Sequence, residues 1–264
     1  MTGGLAAEAA ARPWDAAFAA DLHLAAADGE GVERAVGLVE LCRERAGRLY
    51  LLGDVFDLWT SGAELRLAGF RPLFEALRAA RERGLSIEFL AGNRDFNFTE
   101  RDGASVGVSV HAAEEVAVTL AGRRLLLLHG DQLLQDDVAY QRMKRVIRGP
   151  ALRFLARHLP SPISLALGRR LRRYSRRIVP TKSAARLSIV PAAVRERLAA
   201  GFDALLCGHV HRLERVDFGG GKELLVLPPF FEEARFVVVA GGALHVASVD
   251  GTLHPLPAAH APVA

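Results

Sequence analysis

Short apolar runs alternate with segments whose apolar residues recur every three or four positions over the first half of the chain. Runs at 14–20, 48–52 and 85–91 are mostly apolar and read as strands covered on both faces, so this half reads as an α/β domain. Between them Val32, Val36, Val39 and Cys42 keep helical spacing, and Pro72 occupies the first turn of a second helix carrying Leu73, Leu77 and Ala80. After Asn97 the helices give way to a hairpin: 115–120, a turn at Ala121-Gly122-Arg123, and 124–129, which predicts a second sheet. Strands resume at 204–207, and from Leu213 further hairpins are punctuated by Gly219-Gly220-Gly221 and Gly241-Gly242. The last stretch, 251–264, is rich in Pro and Ala and reads as a loose tail.

The region 134–200 breaks this regularity. Stops at Gly149-Pro150, Pro160-Ser161-Pro162 and Pro180 divide it into several short helices, read as a cap inserted into a core formed by 14–133 and 201–250. The formal net charge of +4 conceals how unlike its surroundings this cap is: from Val138 to Arg195 there are fifteen Lys or Arg and no Asp or Glu, whereas the rest of the chain has nineteen bases against thirty acids. Such a surface calls for anionic partners: phosphates, anionic lipid headgroups or nucleic acid. Leu152, Phe154, Leu155, Leu159, Ile163, Leu165 and Leu167 alternate with its arginines, which suits an apolar groove with a cationic rim, although the same residues could pack the cap on the core.

Composition sets outer bounds. Half of the 264 residues are hydrophobic and 24% are charged, which excludes disorder and collagen. Cys42 and Cys207 stand far apart in no CxxC pair, so they make neither a disulfide framework nor a zinc finger and are expected as buried free thiols. No apolar run approaches the roughly 18 residues of a membrane span, and the stretch 1–12 lacks a secretory pattern, so a cytoplasmic protein is expected.

Candidate chemistry lies where strands end. Asp21-Leu22-His23, Gly53-Asp54-Val55-Phe56-Asp57, Gly92-Asn93-Arg94-Asp95, His129-Gly130-Asp131 and Gly208-His209-Val210-His211 each follow an apolar run. Loops after the carboxyl ends of strands converge on one crevice in α/β sheets, so these distant segments can meet. Asp21, His23, Asp54, Asn93, His129, His209 and His211 then form a mixed nitrogen and oxygen set suited to Mn²⁺, Fe²⁺ or Zn²⁺. Seven ligands exceed the needs of one open catalytic ion and suit two ions sharing a carboxylate. Asp57, Asp95 and Asp131 are placed behind them, orienting ligands by hydrogen bonds or serving as turn residues. His111, His158, His245, His254 and His260 lack such context and are expected as core histidines rather than ligands.

In order and spacing these five segments resemble the calcineurin-like metallophosphoesterase family, with its DxH, GDxxD, GN(H/R)(D/E), lone His and GHxH motifs. The resemblance implies a β-sandwich of two mixed sheets flanked by helices. It also implies one ion, Mn²⁺ by family expectation, on Asp21, His23, Asp54 and His211, and a second on Asp54, Asn93, His129 and His209. GNRD in place of GNHD, and the Asp-Asp and Tyr140 after the LHGD run, are similar to the branch of UDP-2,3-diacylglucosamine diphosphatases of lipid A biosynthesis. That branch implies attack of a bridging hydroxide on the α-phosphorus, giving UMP and a diacylglucosamine 1-phosphate. Asn93, Arg94 and His209 would serve catalysis, Arg94 as a permanently charged clamp on phosphoryl oxygens. Asp137, Tyr140, Ser175 and Lys182 would contact substrate together with Asn93, Arg94 and His209. The cap would hold the acyl chains and meet an anionic inner-membrane surface, making the protein a peripheral cytoplasmic one. Within the cap Tyr174, Val179 and residues 187–190 depart from the branch, as does Pro228-Pro229-Phe230 after a later strand. The alternative is a metallophosphoesterase acting on another phosphodiester or on nucleic acid; the scarcity of aromatics in the cap to stack bases argues against nucleic acid.

Overall fold

The computed structural model describes residues 12–134 and 189–262, with positions 149, 154, 158–160, 162–166 and 170 between them. Strand β1 (Trp14–Ala19) leads through helix α1 (Gly29–Arg45) to β2 (Arg48–Leu52), and helix α2 (Arg71–Glu82) connects β2 to β3 (Ser86–Leu90). β1, β2 and β3 are parallel neighbours. α1 starts where Asp28 accepts a hydrogen bond from the Gly31 N–H, and it buries Val32, Ala35, Leu38, Val39 and Cys42 along one stripe. Pro72 opens α2, which buries Leu73, Phe74, Leu77 and Ala80. A short helix α3 (Glu100–Ser105) and strand β4 (Ser109–Val110) follow. The hairpin pattern alone did not reveal α3; its signal is the Thr99–Asp102 capping box, in which each residue satisfies the other's backbone N–H.

β5 (Glu115–Leu120) and β6 (Arg123–Leu128) form the expected hairpin, closed at Ala121 and Gly122, both at positive φ, so Arg123 belongs to the strand and not to the turn. Next come helix α4 (Pro191–Ala199), β7 (Ala204–Cys207), β8 (Glu214–Gly219), β9 (Lys222–Val226), helix α5 (Phe230–Glu233), β10 (Arg235–Ala240), β11 (Ala243–Ser248) and β12 (Leu253–His254). One sheet runs β12-β11-β10-β1-β2-β3-β4 and the other β5-β6-β7-β9-β8; both are mixed.

The two sheets stack face to face, and this explains the apolar runs. Ala16, Phe18, Tyr50, Leu52, Val237 and Val239 meet Leu125, Leu127, Ala204, Leu206 and Leu225 between the sheets. The alternate residues Trp14, Ala17, Ala19, Leu49 and Leu51 face outward onto α1 and α2. On the second sheet Leu126, Leu128, Leu205 and Cys207 face outward onto Ala193, Val194 and Leu198 of α4. The result is helix, sheet, sheet, helix, with Cys42 and Cys207 buried as free thiols.

Two expected boundaries move. α4 links the parallel strands β6 and β7 and seals the outer face of the second sheet, so 191–199 packs with the core rather than with a cap ending at 200. The expected loose tail is paired: β12 lies on β11, and farther on His260 bridges Val216 of β8, accepting from the Asp217 N–H at 2.8 Å and donating to the Arg215 carbonyl at 3.1 Å. Pro and Ala residues hide a strand signal that backbone pairing makes real. The segment therefore touches the edge of each sheet in turn. Among the described residues no helix is long and apolar enough to cross a membrane.

Candidate metal centre

Every segment singled out at a strand end arrives at one place. β1, β2 and β3 deliver Asp21, Asp54 and Asn93 from their carboxyl ends, and the neighbouring strands β6 and β7 of the facing sheet deliver His129, His209 and His211. Asp21, His23, Asp54, His209 and His211 all adopt positive φ, between 48° and 74°; the only other described non-glycine residues to do so are Ala121 and Ala234. Each such turn costs conformational energy, so their clustering marks backbone that packing forces to aim side chains inward. Two glycines make room. A Cβ on Gly92 would lie 2.2 Å from Asp54 Oδ1, and one on Gly208 would lie 2.5 Å from Asp21 Oδ2.

The donor atoms form two adjoining groups. In the first, His23 Nε2 and His211 Nε2 stand 3.1 Å apart, at 3.9 and 3.6 Å from Asp21 Oδ1. In the second, His129 Nε2 is 3.0 Å from Asn93 Oδ1, 3.1 Å from His209 Nδ1 and 3.6 Å from Asp54 Oδ1. Asp21, Asp54 and His129 also offer ligand atoms within 4.8 Å of one another, which joins the two groups through the carboxylates. His129 Nδ1 lies 2.9 Å from the Leu52 carbonyl, an acceptor only, so it carries the proton and Nε2 presents its lone pair to the cluster.

Such an arrangement fits cations. Asp21 Oδ1 is buried without a hydrogen-bond donor, and lone-pair atoms face one another at hydrogen-bonding distance. Burial pushes His23 down to about 2 and His209 down to about 3, keeping both imidazoles neutral and able to ligate. Burial also pushes Asp54 up to about 7, while His129 is raised because Asp54, Asp21 and Asp131 outweigh its own burial. Asp21, although burial opposes its ionisation, is held below the usual carboxylate range by the neighbouring His211 and His129 imidazoles.

The comparisons follow from this geometry. No protein-family model matches the sequence. A protein from Aeromonas salmonicida named UDP-2,3-diacylglucosamine hydrolase is 32% identical over 233 residues, covering 85% of this chain and 89% of that one. The chain belongs to the UDP-2,3-diacylglucosamine hydrolase family. A second hydrolase of that name, from Azotobacter vinelandii, is 35% identical over 200 residues, 73% of this chain and 79% of the relative. Among solved structures, a dimetal phosphatase from Danio rerio superposes with a TM-score of 0.45 at 14% identity, over 89% of this chain and 98% of that one; membership rests on the sequence relatives alone.

In this member of the hydrolase family the residues behind the cluster have separate tasks. The fully buried Asp95 carboxylate accepts from the backbone N–H groups of Asp54, Val55, Phe56 and Gly92, pinning the loop after β2 to the loop after β3. Burial raises Asp95, and those donors work against the rise. Asp57 accepts from Arg94 Nη1 at 2.6 Å, and Arg94 Nε sits 3.4 Å from Asp54 Oδ2. The expected phosphate clamp is thus held at the cluster's edge between two carboxylates. Asp131 is buried on the 3-10 turn that follows His129. Phe231, which the motif reading did not single out, packs its ring 5.0 Å from that of His23 and 5.3 Å from that of His211. Its only sequence signal is its place soon after a strand on the same edge.

Asp137, Tyr140, Ser175 and Lys182 lie outside the described residues. The remaining histidines are not ligands, and they are not core residues either. His158, His254 and His260 are exposed, while His111 and His245 are half-buried, with His111 3.0 Å from Glu88. An imidazole without a buried partner stays at the surface, where water satisfies it. Of the apolar residues assigned to a groove, Phe154 and Ile163 are exposed, and Leu159 and Leu165 half-buried.

Proposed function

We propose that this protein hydrolyses the pyrophosphate of UDP-2,3-diacylglucosamine, releasing UMP and 2,3-diacylglucosamine 1-phosphate. The observation that supports this reading is the convergence of seven side chains from five strand ends on two adjoining donor groups, in a chain of this family. Asp21, His23, Asp54 and His211 would hold one divalent cation, and Asp54, Asn93, His129 and His209 a second, with Mn²⁺ the expected ion. Bound there, the cations would supply an acidified water and neutralise charge gathering on phosphoryl oxygens. Asp54, lying between the groups, makes the two positions interdependent.

Arg94 offers a planar fork of cationic donors. Held by Asp57, its guanidinium is aligned to meet the oxygens of the α-phosphoryl group without a search through rotamers. A pyrophosphate expels a phosphate monoester, a leaving group that needs little proton donation, so a fixed cation here is worth more than an acid. His209 stands in both the metal-binding and the substrate-facing roles. The basic stretch 138–195 would bring the protein to an anionic inner-membrane surface as a peripheral protein, with Asp137, Tyr140, Ser175 and Lys182 contacting the nucleotide sugar.

The test is a manganese-reconstituted assay on the diacyl nucleotide sugar in detergent, followed by phosphorus NMR. UMP plus a sugar 1-phosphate is the expected outcome; UDP plus free sugar rejects attack at the α-phosphorus, and turnover of oligonucleotides alone rejects the substrate class. Asp54→Ala is expected to abolish turnover and to lower the bound metal measured by elemental analysis, since both positions depend on it.

A further inference from the structure

The chain leaves the core at Leu134 and returns at Val190, whose N–H donates to the Leu133 carbonyl at 3.0 Å. Its two ends are therefore side by side, with 55 residues between them in sequence. A third point of attachment exists. Ser164, on the helical turn 162–166, is the one buried side chain among the described residues of this stretch, at 2% exposure. Its Oγ lies 2.9 Å from Thr60 Oγ1 and 2.8 Å from Ser61 Oγ.

The hydroxyls end on a carboxylate. Glu64, itself buried, accepts from the Thr60 N–H at 2.7 Å and from Thr60 Oγ1 at 2.5 Å. A carboxylate accepts and does not donate, so it takes the threonine proton, while Ser164 Oγ donates to Ser61 Oγ and lies against the Thr60 oxygen. Thr60 is also tied to the site. Its carbonyl accepts from Asn97 Nδ2 at 3.1 Å, and the preceding Trp59 N–H donates to the Arg94 carbonyl at 3.0 Å. Asp57, which holds the Arg94 side chain, lies on the same loop three residues before Thr60.

We propose that Ser164 is a positioning residue: through Thr60, Ser61 and Glu64 it latches the basic insertion to the loops that carry Asp57 and Arg94. Recognition of the part of the substrate that does not react then depends on a contact that touches neither substrate nor metal. This rests on the reading of the substrate given above. The latch is a partly buried hydrogen-bond chain with Ser164 and Glu64 themselves buried, and removing the Ser164 hydroxyl takes from Ser61 Oγ its donor and from the insertion its contact with Thr60.

The experiment compares Ser164→Ala, Thr60→Val and the conservative Ser164→Thr with the parent protein. Three readouts are used: bound manganese, hydrolysis of the small diester bis(p-nitrophenyl) phosphate, which needs only the metal centre, and hydrolysis of the diacyl nucleotide sugar. Amide hydrogen exchange of 57–64 and 162–166 is followed alongside. For Ser164→Ala and Thr60→Val, kcat/KM on the nucleotide sugar is expected to fall about tenfold through KM, with exchange in both segments faster by about the same factor. Metal content and diester hydrolysis stay within about twofold, and Ser164→Thr recovers most of the loss. Equal losses on both substrates, or unchanged exchange, overturn the proposal. If the parent cleaves the diester and not the nucleotide sugar, the substrate reading fails by itself. The latch is then decided by exchange: acceleration in both segments upholds it and protection equal to the parent's rejects it.

Discussion

Arg94 shows how much a single side chain can be read, and misread, from a motif. Its place in GNRD announces a charge near phosphate, but the sequence cannot show that Asp57 grips it at 2.6 Å, because the two meet only when β2 and β3 lie side by side. Arg94→Ala is expected to leave metal content intact and to lower kcat/KM by about 10²–10³, the usual scale for removing a donor that stabilises developing charge; loss of metal would move Arg94 from substrate to ligand support. Asp95 is the opposite case, an acid in a metal motif whose visible work is entirely on backbone. Asp95→Ala strands four buried N–H groups and is expected to cost at least about 3 kcal/mol in denaturant unfolding. The seven ligand candidates were legible because their spacing is local within each segment. The left-handed backbone at five of them was not, since nothing in Asp or His by itself demands positive φ.

Elements were legible where a period ran long enough. The apolar runs gave β1, β2, β3, β6 and β7 because a strand between two layers has no polar face, and the structure supplies a layer on each side. α3 and β12 escaped for the converse reason: six and two residues leave no room for a period to repeat. α4 was expected within the inserted helical stretch, and in the structure its Ala193, Val194 and Leu198 pack on the outer face of the second sheet. The strands that carry ligands also carry the core between the sheets, so packing and chemistry share elements. Leu206→Ala, three residues before His209 and fully buried between the sheets, is expected to cost about 2–5 kcal/mol in urea unfolding. Metal affinity should weaken with it, because the β7 end that aims His209 and His211 would relax into the void.

At the scale of the whole molecule, charge and fold divide the work. The stretch 138–195 has fifteen bases and no acid against nineteen bases and thirty acids elsewhere, and Ser164 ties that stretch to the loop after β2. That division was visible in the sequence; which loops the insertion leans on was not, because a hydroxyl contact over a hundred residues apart leaves no local trace. The segment 253–260 carries a different message. By lying first on β11 and then on β8, it occupies hydrogen-bonding groups that open sheets otherwise present to any extended chain nearby. Shortening the protein to end at Asp250 is expected to leave the metal cluster assembled and yet to produce concentration-dependent oligomers in size-exclusion chromatography. A few residues remote from all the chemistry would thus decide whether these sheet edges stay covered or pair with further copies by strand addition.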